Sequence, residues 1–306
     1  MRASKHDEEH KIIAAADLQI KSLSNDTIML ATGGKRFVFK TDVGESMRVA
    51  KLLDRATKKL DRPYLLSEKL SDDDENAIRP YMDELFKVGA LYISDSSINT
   101  DADRQLYTYL ARRTKSPETA YQDVKRQIFY IDAPPLCRSV WAPIFEKQGL
   151  VTSEKPTSES IIIRLCLSWR EVADQSSIHF DKLREWTPVL LTQSRVIIGP
   201  WVSPKASACP ACNLQYDSES STTNFTECQS SWITTQPGAL FWVGGVLVHQ
   251  ALRAVSPIGP YHPWGSVHIL DMVRNQCSQY TAWKNPFCQI CGSTVSAQTT
   301  WIDKNE

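Results

Sequence analysis

The chain has 306 residues, which allows one large domain or two ordinary ones. Its 35 lysines and arginines balance 35 aspartates and glutamates, so the formal net charge is zero. This balance argues against broad binding to nucleic acid or a membrane surface, because both attract cationic proteins. No apolar run reaches the ~20 residues that cross a bilayer, and the charged N-terminus lacks a signal-peptide core. We therefore predict a cytoplasmic protein with no nucleic-acid and no membrane partner.

The first 95 residues predict a small α+β module. Gly33-Gly34 separates two strand-like segments and suits a tight hairpin turn. Ser71 is placed to cap a helix whose first turn is acidic. The predicted elements are strands at 18–20, 27–30 and 36–40, a helix at 45–58, a short helix near 64–66, a helix at 72–88 and a strand at 90–93. This order is typical of a winged helix.

A winged helix commonly binds DNA, but the charge of the 72–88 helix disfavours that role. The helix carries six acidic residues against two basic ones and would repel phosphate. A zinc-containing winged-helix DNA-binding regulator remains an alternative, as does an α+β module that serves only for packing.

Residues 96–126 are predicted to be a linker with a helix, and residues 127–306 a second domain. Runs of isoleucine and valine alternate with helical stretches in this second part, which predicts a parallel α/β sheet covered on both faces. The predicted elements are strands at 127–132, 161–167, 195–200 and 266–271, helices at 140–149, 181–186 and 238–254, and a loop at 217–236. The histidines of this part, His179, His249, His262 and His268, are interpreted as structural. Its tryptophans are interpreted as core or subunit-interface residues, so we expect self-association.

Two Cys-x-x-Cys pairs stand 75 residues apart, and their cysteines are Cys209, Cys212, Cys288 and Cys291. Each pair presents two thiolates to one point, and two pairs together offer the tetrahedral sulfur set that structural zinc prefers. A reducing cytoplasm favours metal over disulfides. The four cysteines are therefore predicted to bind zinc, with free core thiols or two disulfides as the alternatives.

The C-terminal part resembles the ThiF/ubiquitin-activating-like fold, a Rossmann-type fold. The segments that carry the resemblance are Arg104-Gln105, residues 128–150, Gly199-Pro200 with Pro204, Cys209 to Cys212, and Asn285 to Gly292. Catalytic members of that family adenylate a carboxylate and need a glycine-rich turn to admit the ATP phosphates. The corresponding turn, Asp132 to Leu136, has two prolines and no glycine. The resemblance therefore implies a degenerate nucleotide site and no catalytic residue.

The combination of a winged-helix front with a degenerate, zinc-bearing ThiF-like domain resembles the B subunit of thiazole/oxazole-modified microcin synthetases. In that family the front module is a RiPP recognition element, which binds the leader of a precursor peptide as an added strand. The resemblance implies a docking edge at Arg36, Phe37, Val38, Phe39 and Lys40. It implies a groove lined by Ile78, Met82, Leu85 and Phe86, although each of these apolar residues is also suited to the core of the module.

The resemblance further implies a division of labour between subunits. A YcaO-type cyclodehydratase would use ATP, and an FMN-dependent dehydrogenase would oxidise the product to an azole. Zinc would be the only cofactor of this chain, which would hold the leader near the partners and serve as a non-catalytic scaffold. The main alternative is an active ATP-dependent enzyme that adenylates a peptide.

Overall fold

The computed structural model describes residues 11–58, 62–63, 71–96, 98, 100–191, 194–204, 206–212, 237–256 and 262–292. The chain is a mixed α/β protein that divides into two compact units, residues 1–122 and 123–306. The short helix expected near 64–66 and the loop expected at 217–236 lie outside the described residues. The winged-helix assignment and the predicted boundaries at 95 and 126 stay predictions.

The N-terminal unit contains two three-stranded sheets, with strand orders β5-β1-β6 and β2-β3-β4. Its elements are β1 (Lys11–Ala14), β2 (Gln19–Ser24), β3 (Thr27–Thr32), β4 (Lys35–Lys40), α1 (Ser46–Lys58), β5 (Arg62–Pro63), α2 (Asp72–Lys87), β6 (Leu91–Ser94), α3 (Asp101–Ala111) and α4 (Pro117–Arg126), whose last residues enter the second unit. The predicted strands and the two long helices are present. No strand is predicted from the sequence before residue 18, but Lys11–Ala14 form β1, which pairs with β6.

The core of this unit lies between the β2-β3-β4 sheet and the two helices α1 and α2. Ile28 and Leu30 of β3 are fully buried, and they alternate with more exposed neighbours as expected for a strand with one buried face. Leu53 of α1 is also fully buried and belongs to the same cluster. The sheet is therefore held against the helices by its inward-facing aliphatic residues.

The turn after β1 is fixed to α3 by hydrogen bonds from two side chains. Arg112 donates to Asp17 Oδ1 at 2.7 Å and to Thr32 Oγ1 at 2.6 Å. Thr108 Oγ1 accepts a hydrogen bond from the Ala16 N–H at 3.0 Å. The helix α3 is thus part of the same compact unit as the strands that precede it.

The second unit is built on one seven-stranded sheet with the order β13-β12-β11-β10-β9-β7-β8. Its elements are β7 (Ile128–Asp132), α5 (Pro135–Lys147), β8 (Val151–Ser153), β9 (Ile161–Cys166), α6 (Trp169–Asp181), β10 (Trp186–Leu191), β11 (Arg195–Ile198), α7 (Pro237–Val255), β12 (Ser266–Asp271) and β13 (Gln276–Thr281). Strands β8, β7, β9 and β10 are parallel, whereas β11, β12 and β13 run antiparallel to their neighbours. The expectation of a parallel sheet therefore holds for only part of it.

The helix expected at 181–186 is wrong. The helix in this region is α6, which begins after its N-cap Ser168 and ends at Asp181. Trp186 instead begins β10, an inner strand between β9 and β11. Pro188 lies within β10, and proline is rare in inner strands because it removes a backbone donor, so the sequence did not indicate a strand here.

The apolar helix α7 packs against α5. Trp141 of α5 is fully buried, and its Nε1–H donates to the Leu240 carbonyl at 2.9 Å. Gly244 allows α7 to lie close to α5, because a Cβ there would lie 2.7 Å from Ile144 Cδ1 and 3.1 Å from Trp141 Cδ1. Residues 238–255 of α7 are long and apolar enough to cross a membrane, but half of this window is buried inside the protein.

Candidate functional site

The two cysteine pairs meet in the second unit, as the sequence predicts. The four Sγ atoms all lie within 4.8 Å of one another, and all four cysteines are buried. The Sγ separations are 3.8 Å for Cys209–Cys212, 3.6 Å for Cys209–Cys288 and 3.2 Å for Cys212–Cys291. Zn–S bonds of about 2.3 Å would place tetrahedral thiolates roughly 3.8 Å apart. The separations are far longer than a disulfide bond of about 2.05 Å. The cluster therefore has the size and ligand set of a metal site.

The second cysteine pair is shaped by a tight backbone turn. The Gly292 N–H donates to the Cys288 carbonyl at 2.8 Å, and the Cys288 N–H donates to the Asn285 carbonyl at 3.0 Å. A Cβ at Gly292 would lie 2.5 Å from the Pro286 carbonyl oxygen. Glycine is therefore required directly after the last cysteine, because the chain folds back on itself there.

The sulfur atoms perturb one another's protonation. Hydrogen bonds from the Cys209 and Cys291 thiols hold the pKa of Cys212 well below its ordinary value. The Asn285 N–H, which donates to Cys212 Sγ at 3.4 Å, acts in the same direction. Backbone donors aimed at a buried sulfur stabilise a thiolate, which is the form that binds a metal. The site is thus suited to a cation.

The turn after β7 is poor in backbone donors. Pro134 is the N-cap of α5 and Pro135 is its first residue, so neither contributes an N–H at the helix N-terminus. Arg138 reaches back and donates to the Ile131 carbonyl at 3.2 Å and to the Ala133 carbonyl at 3.3 Å. Phosphate binding at a helix N-terminus relies on free N–H groups. Here the two backbone N–H groups that residues 134 and 135 would otherwise supply are absent.

A network of ion pairs lies beside this turn, at the carboxyl ends of β7 and β9. Arg164 of β9 contacts Asp132 of β7 at 2.6 Å and Glu171 of α6 at 3.4 Å. Glu171 also accepts the Leu167 N–H at 2.9 Å, and Ser168 Oγ accepts the Glu171 N–H at 3.1 Å. In open α/β sheets this end of the strands is where ligands bind. Here the Nη1 and Nη2 atoms of Arg164 are paired with two carboxylates, and its buried Nε has no hydrogen-bond partner among the described residues.

The predicted docking edge is β4, an outer strand of the β2-β3-β4 sheet that pairs only with β3 among the described residues. The turn before it is Gly33-Gly34, with φ of +59° and +75°, which is the two-residue hairpin turn that the sequence predicts. Thr32 and Lys35 flank this turn and form its hydrogen-bonded pair. By alternation, the backbone N–H and C=O groups of Arg36, Val38 and Lys40 face away from β3.

The side chains of β4 differ by face. Val38 is 62% exposed, whereas Phe37 and Phe39 pack partly against the N-terminal core. Tyr81 of α2, which was not singled out from the sequence, donates to the Lys40 carbonyl at 3.1 Å and meets the Phe39 ring edge-on at 6.3 Å. The far end of the outer edge is thus closed by Tyr81.

The predicted groove residues of α2 lie mostly in the core. Ile78 and Leu85 are fully buried and Met82 is 6% exposed, while Phe86 is only partly buried. Ile78, Met82 and Leu85 therefore pack in the core against the sheet, and Phe86 is the groove residue that a peptide could contact. The docking assignment as a whole stays a prediction.

Comparison of the sequence with protein-family models and with curated proteins gives no match. Several solved structures are similar in fold. The heterocyclase TruD matches with a TM-score of 0.56 and 12% identity over 92% of this chain and 43% of its own. A heterocyclase in complex with substrate and cofactor matches with a TM-score of 0.57 and 11% identity over 92% of this chain and 39% of its own.

A third similar structure is MccB of E. coli, solved with AMPCPP and selenomethionine-labelled MccA. It matches with a TM-score of 0.50 and 8% identity over 92% of this chain and 99% of its own. The chain therefore spans less than half the length of the two heterocyclases and matches nearly all of MccB. At these identities the comparisons show a fold that this chain shares with the two heterocyclases and with MccB.

Proposed function

We propose that this chain is the non-catalytic, leader-peptide-binding subunit of a thiazole/oxazole synthetase. It would hold a ribosomally made precursor while a YcaO-type ATP-dependent cyclodehydratase and an FMN-dependent dehydrogenase convert Cys, Ser or Thr to azoles. The observation that carries the proposal is the open edge of β4 in a chain that shares its fold with a substrate-bound heterocyclase. The reaction would take place in the cytoplasm, on the partner subunits.

The leader would add to β4 as a further strand. The outward backbone groups of Arg36 and Val38 are available to it, and main-chain hydrogen bonds of this kind provide affinity that depends little on side chains. The exposed Val38 side chain and the part-exposed Phe86 would give apolar contacts that select the register. Tyr81 would limit the added strand at Lys40, because it already bonds that carbonyl.

The non-catalytic assignment is supported by the turn after β7. ATP bound there would need backbone donors that Pro134 and Pro135 cannot supply. It would also need a free ribose or phosphate partner, whereas the side chains of Asp132 and Arg164 are engaged with each other. Without ATP binding at this turn, the chain would act by binding and presenting the peptide.

The cysteine cluster would bind zinc as a structural clasp. Four thiolates complete a tetrahedral coordination sphere and leave no position for a water or substrate. The residues that would hold the ion are Cys209, Cys212, Cys288 and Cys291. The metal would supply no chemistry for the reaction. Instead it would fix the segment after β13 to the segment after β11.

Self-association is part of the proposal and is supported by β13. Among the described residues this strand ends the sheet order, all six of its residues are exposed, and none of them is charged or proline. Natural edge strands are usually protected by charges, proline or bulges. An unprotected edge of this kind suits pairing with a second chain.

The proposal is tested by titration of the full-length protein, without nucleotide, with fluorescent peptides from a short Cys/Ser-rich reading frame encoded beside its gene. The leader half should bind with micromolar or better affinity, and the core half should bind much more weakly. Binding that requires the core half, or that requires ATP, would contradict a leader-recognition role.

A second candidate function is peptide adenylation. Its support is the match to MccB, which covers 99% of that chain and was solved with AMPCPP and MccA. The proline-containing turn argues against it. ATP–pyrophosphate exchange by the purified protein, stimulated by a peptide, would favour this second function over the first.

A further inference from the structure

A cleft lies in the second unit, between α7 and the β12–β13 hairpin. Its volume is about 640 Å³. The described residues that line it are Phe241, Trp242, Gly245, Val246, His249, Gln250, Arg253, His268, Cys277, Ser278 and Gln279. Neither the docking edge nor the cysteine cluster contributes to this cleft, so its chemistry requires a separate explanation.

The charged and titratable lining of the cleft is basic, apart from the thiol of Cys277. It includes Arg253, His249 and His268, and no aspartate or glutamate is among the described lining residues. His268 is only 4% exposed, and its Nε2 has no hydrogen-bond partner in the part of the chain that the structure describes. Arg253 Nε is also a buried atom without a hydrogen-bond partner among the described residues. Buried polar atoms are almost always hydrogen-bonded, so these two point to a missing acceptor.

The electrostatics of the cleft agree with that reading. Burial, followed by the positive charges of Arg253 and His249, lowers the pKa of His268 to about 4. An anion in the cleft would offset both effects and would stabilise the protonated imidazole. A metal cation is disfavoured, because the guanidinium of Arg253 would repel it.

The helix also leaves room for a ligand. Two adjacent glycines of α7 face different surroundings: a Cβ at Gly244 would strike α5, whereas a Cβ at Gly245 would meet no atom within 4 Å. The open side of Gly245 is part of the cleft. Trp242 and Val246 provide apolar surface beside it, and Phe241, at 60% exposure, is a large aromatic at its rim.

We propose that the cleft between α7 and β12–β13 binds the carboxylate of an aromatic or aliphatic acid. The carboxylate would accept hydrogen bonds from Arg253 and from His268 Nε2–H, a charge-assisted arrangement that also satisfies both buried donors. The apolar part of the ligand would lie against Trp242 and the open face of Gly245. The acid is either a free small molecule or the C-terminal carboxylate of a polypeptide. The inference does not depend on the role in azole formation.

The test uses full-length protein with its six histidines labelled with ¹⁵N and with benzoate as the probe. The His268 resonances are assigned from a His268→Gln variant. Benzoate at up to tens of millimolar should shift the His268 nitrogens and raise the pKa of His268 from about 4. No change in His268 over that range would overturn the proposal.

Two variants test the cleft itself. Gly245→Leu should fill it and abolish the shift, while Gly238→Leu, at a position of the same helix that also has open space, should leave the shift intact. Arg253→Met should weaken benzoate binding about tenfold or more through loss of one charge-assisted hydrogen bond. Equal binding by wild type and by Gly245→Leu would place the probe elsewhere and refute the site.

Two further probes complete the experiment. Inorganic phosphate should bind more weakly than benzoate, and equal binding would refute the apolar component of the site. The tripeptide acetyl-Gly-Gly-Phe carries a ring beside a terminal carboxylate. If it binds more tightly than benzoate, the natural source of the carboxylate is a polypeptide terminus, and if it is excluded, the source is a free acid.

Discussion

The cysteine cluster gives the most quantitative prediction. Cys209→Ser removes one of four buried sulfurs that lie within 4.8 Å of one another. A serine hydroxyl is a poor ligand for zinc, so we expect the variant to lose the metal. The site joins segments separated by 75 residues, and the loss should therefore weaken the link between the strands β11 and β13.

The magnitude follows from two limits. A covalent cross-link closing a loop of this size would stabilise a domain by about 4.5 kcal/mol in the chain-entropy description. Here the loop is already restrained, because β12 pairs with both β11 and β13, so the tether contributes less than that. Loss of the direct metal-binding free energy and the cost of a buried, unpaired hydroxyl, about 1–3 kcal/mol for the hydroxyl alone, add to the destabilisation. We expect a net destabilisation of about 3–4 kcal/mol.

This value corresponds to a fall in melting temperature of about 10 °C for a unit of this size. The assay is calorimetry of the full-length protein together with its zinc content, measured by metal analysis. Cys277→Ser is the matched control, because this cysteine is exposed and lies outside the cluster. The reasoning is wrong if Cys209→Ser contains one zinc per chain, or if it loses zinc and still melts at the wild-type temperature.

Three further predictions follow from local contacts. Arg112 lowers the pKa of Asp17 to about 2. The pair therefore stabilises the N-terminal unit above about pH 4 and less as pH falls towards 2, so Asp17→Asn should melt below wild type at about pH 6 and approach it in acid. Gly292→Ala should distort the turn that holds the second cysteine pair and weaken zinc retention in competition with a chelator, since its Cβ would lie 2.5 Å from the Pro286 carbonyl oxygen. Trp141→Phe should lower the free energy of unfolding in urea by about 1–3 kcal/mol, because it removes the buried hydrogen bond from the indole N–H to the Leu240 carbonyl and leaves part of the indole volume unfilled.

Much of the fold could be predicted because its local signals agree with its packing. The hairpin around Gly33-Gly34 and the capped helix that begins after Ser71 are set by residues within a few positions of each other. The strand β10 could not be predicted in this way. Pro188 argues against an inner strand, and only its pairing with β9 and β11 makes it one.

The sites show the same division. The spacing of the cysteines alone predicted that four thiols lie together, because two Cys-x-x-Cys pairs are typical of a metal site. The cleft between α7 and β12–β13 had no such signal. Arg253 lies on α7 and His268 on β12, and only the folded chain brings them into one cleft. Tyr81 was missed for a related reason: its contact with Lys40 depends on how α2 crosses the end of β4. Long-range placement of single side chains is the part that the sequence did not reveal.

The central claim is that a leader peptide adds to the outer edge of β4 without nucleotide. Its most direct test compares leader binding by wild type, Val38→Pro and Val38→Ala. The Val38 N–H faces away from β3, so proline should remove one hydrogen bond and obstruct the edge, which lowers affinity about 10- to 100-fold with little change in melting temperature. Alanine keeps the N–H and should lower affinity by less. Wild-type affinity in the proline variant would show that the leader binds elsewhere.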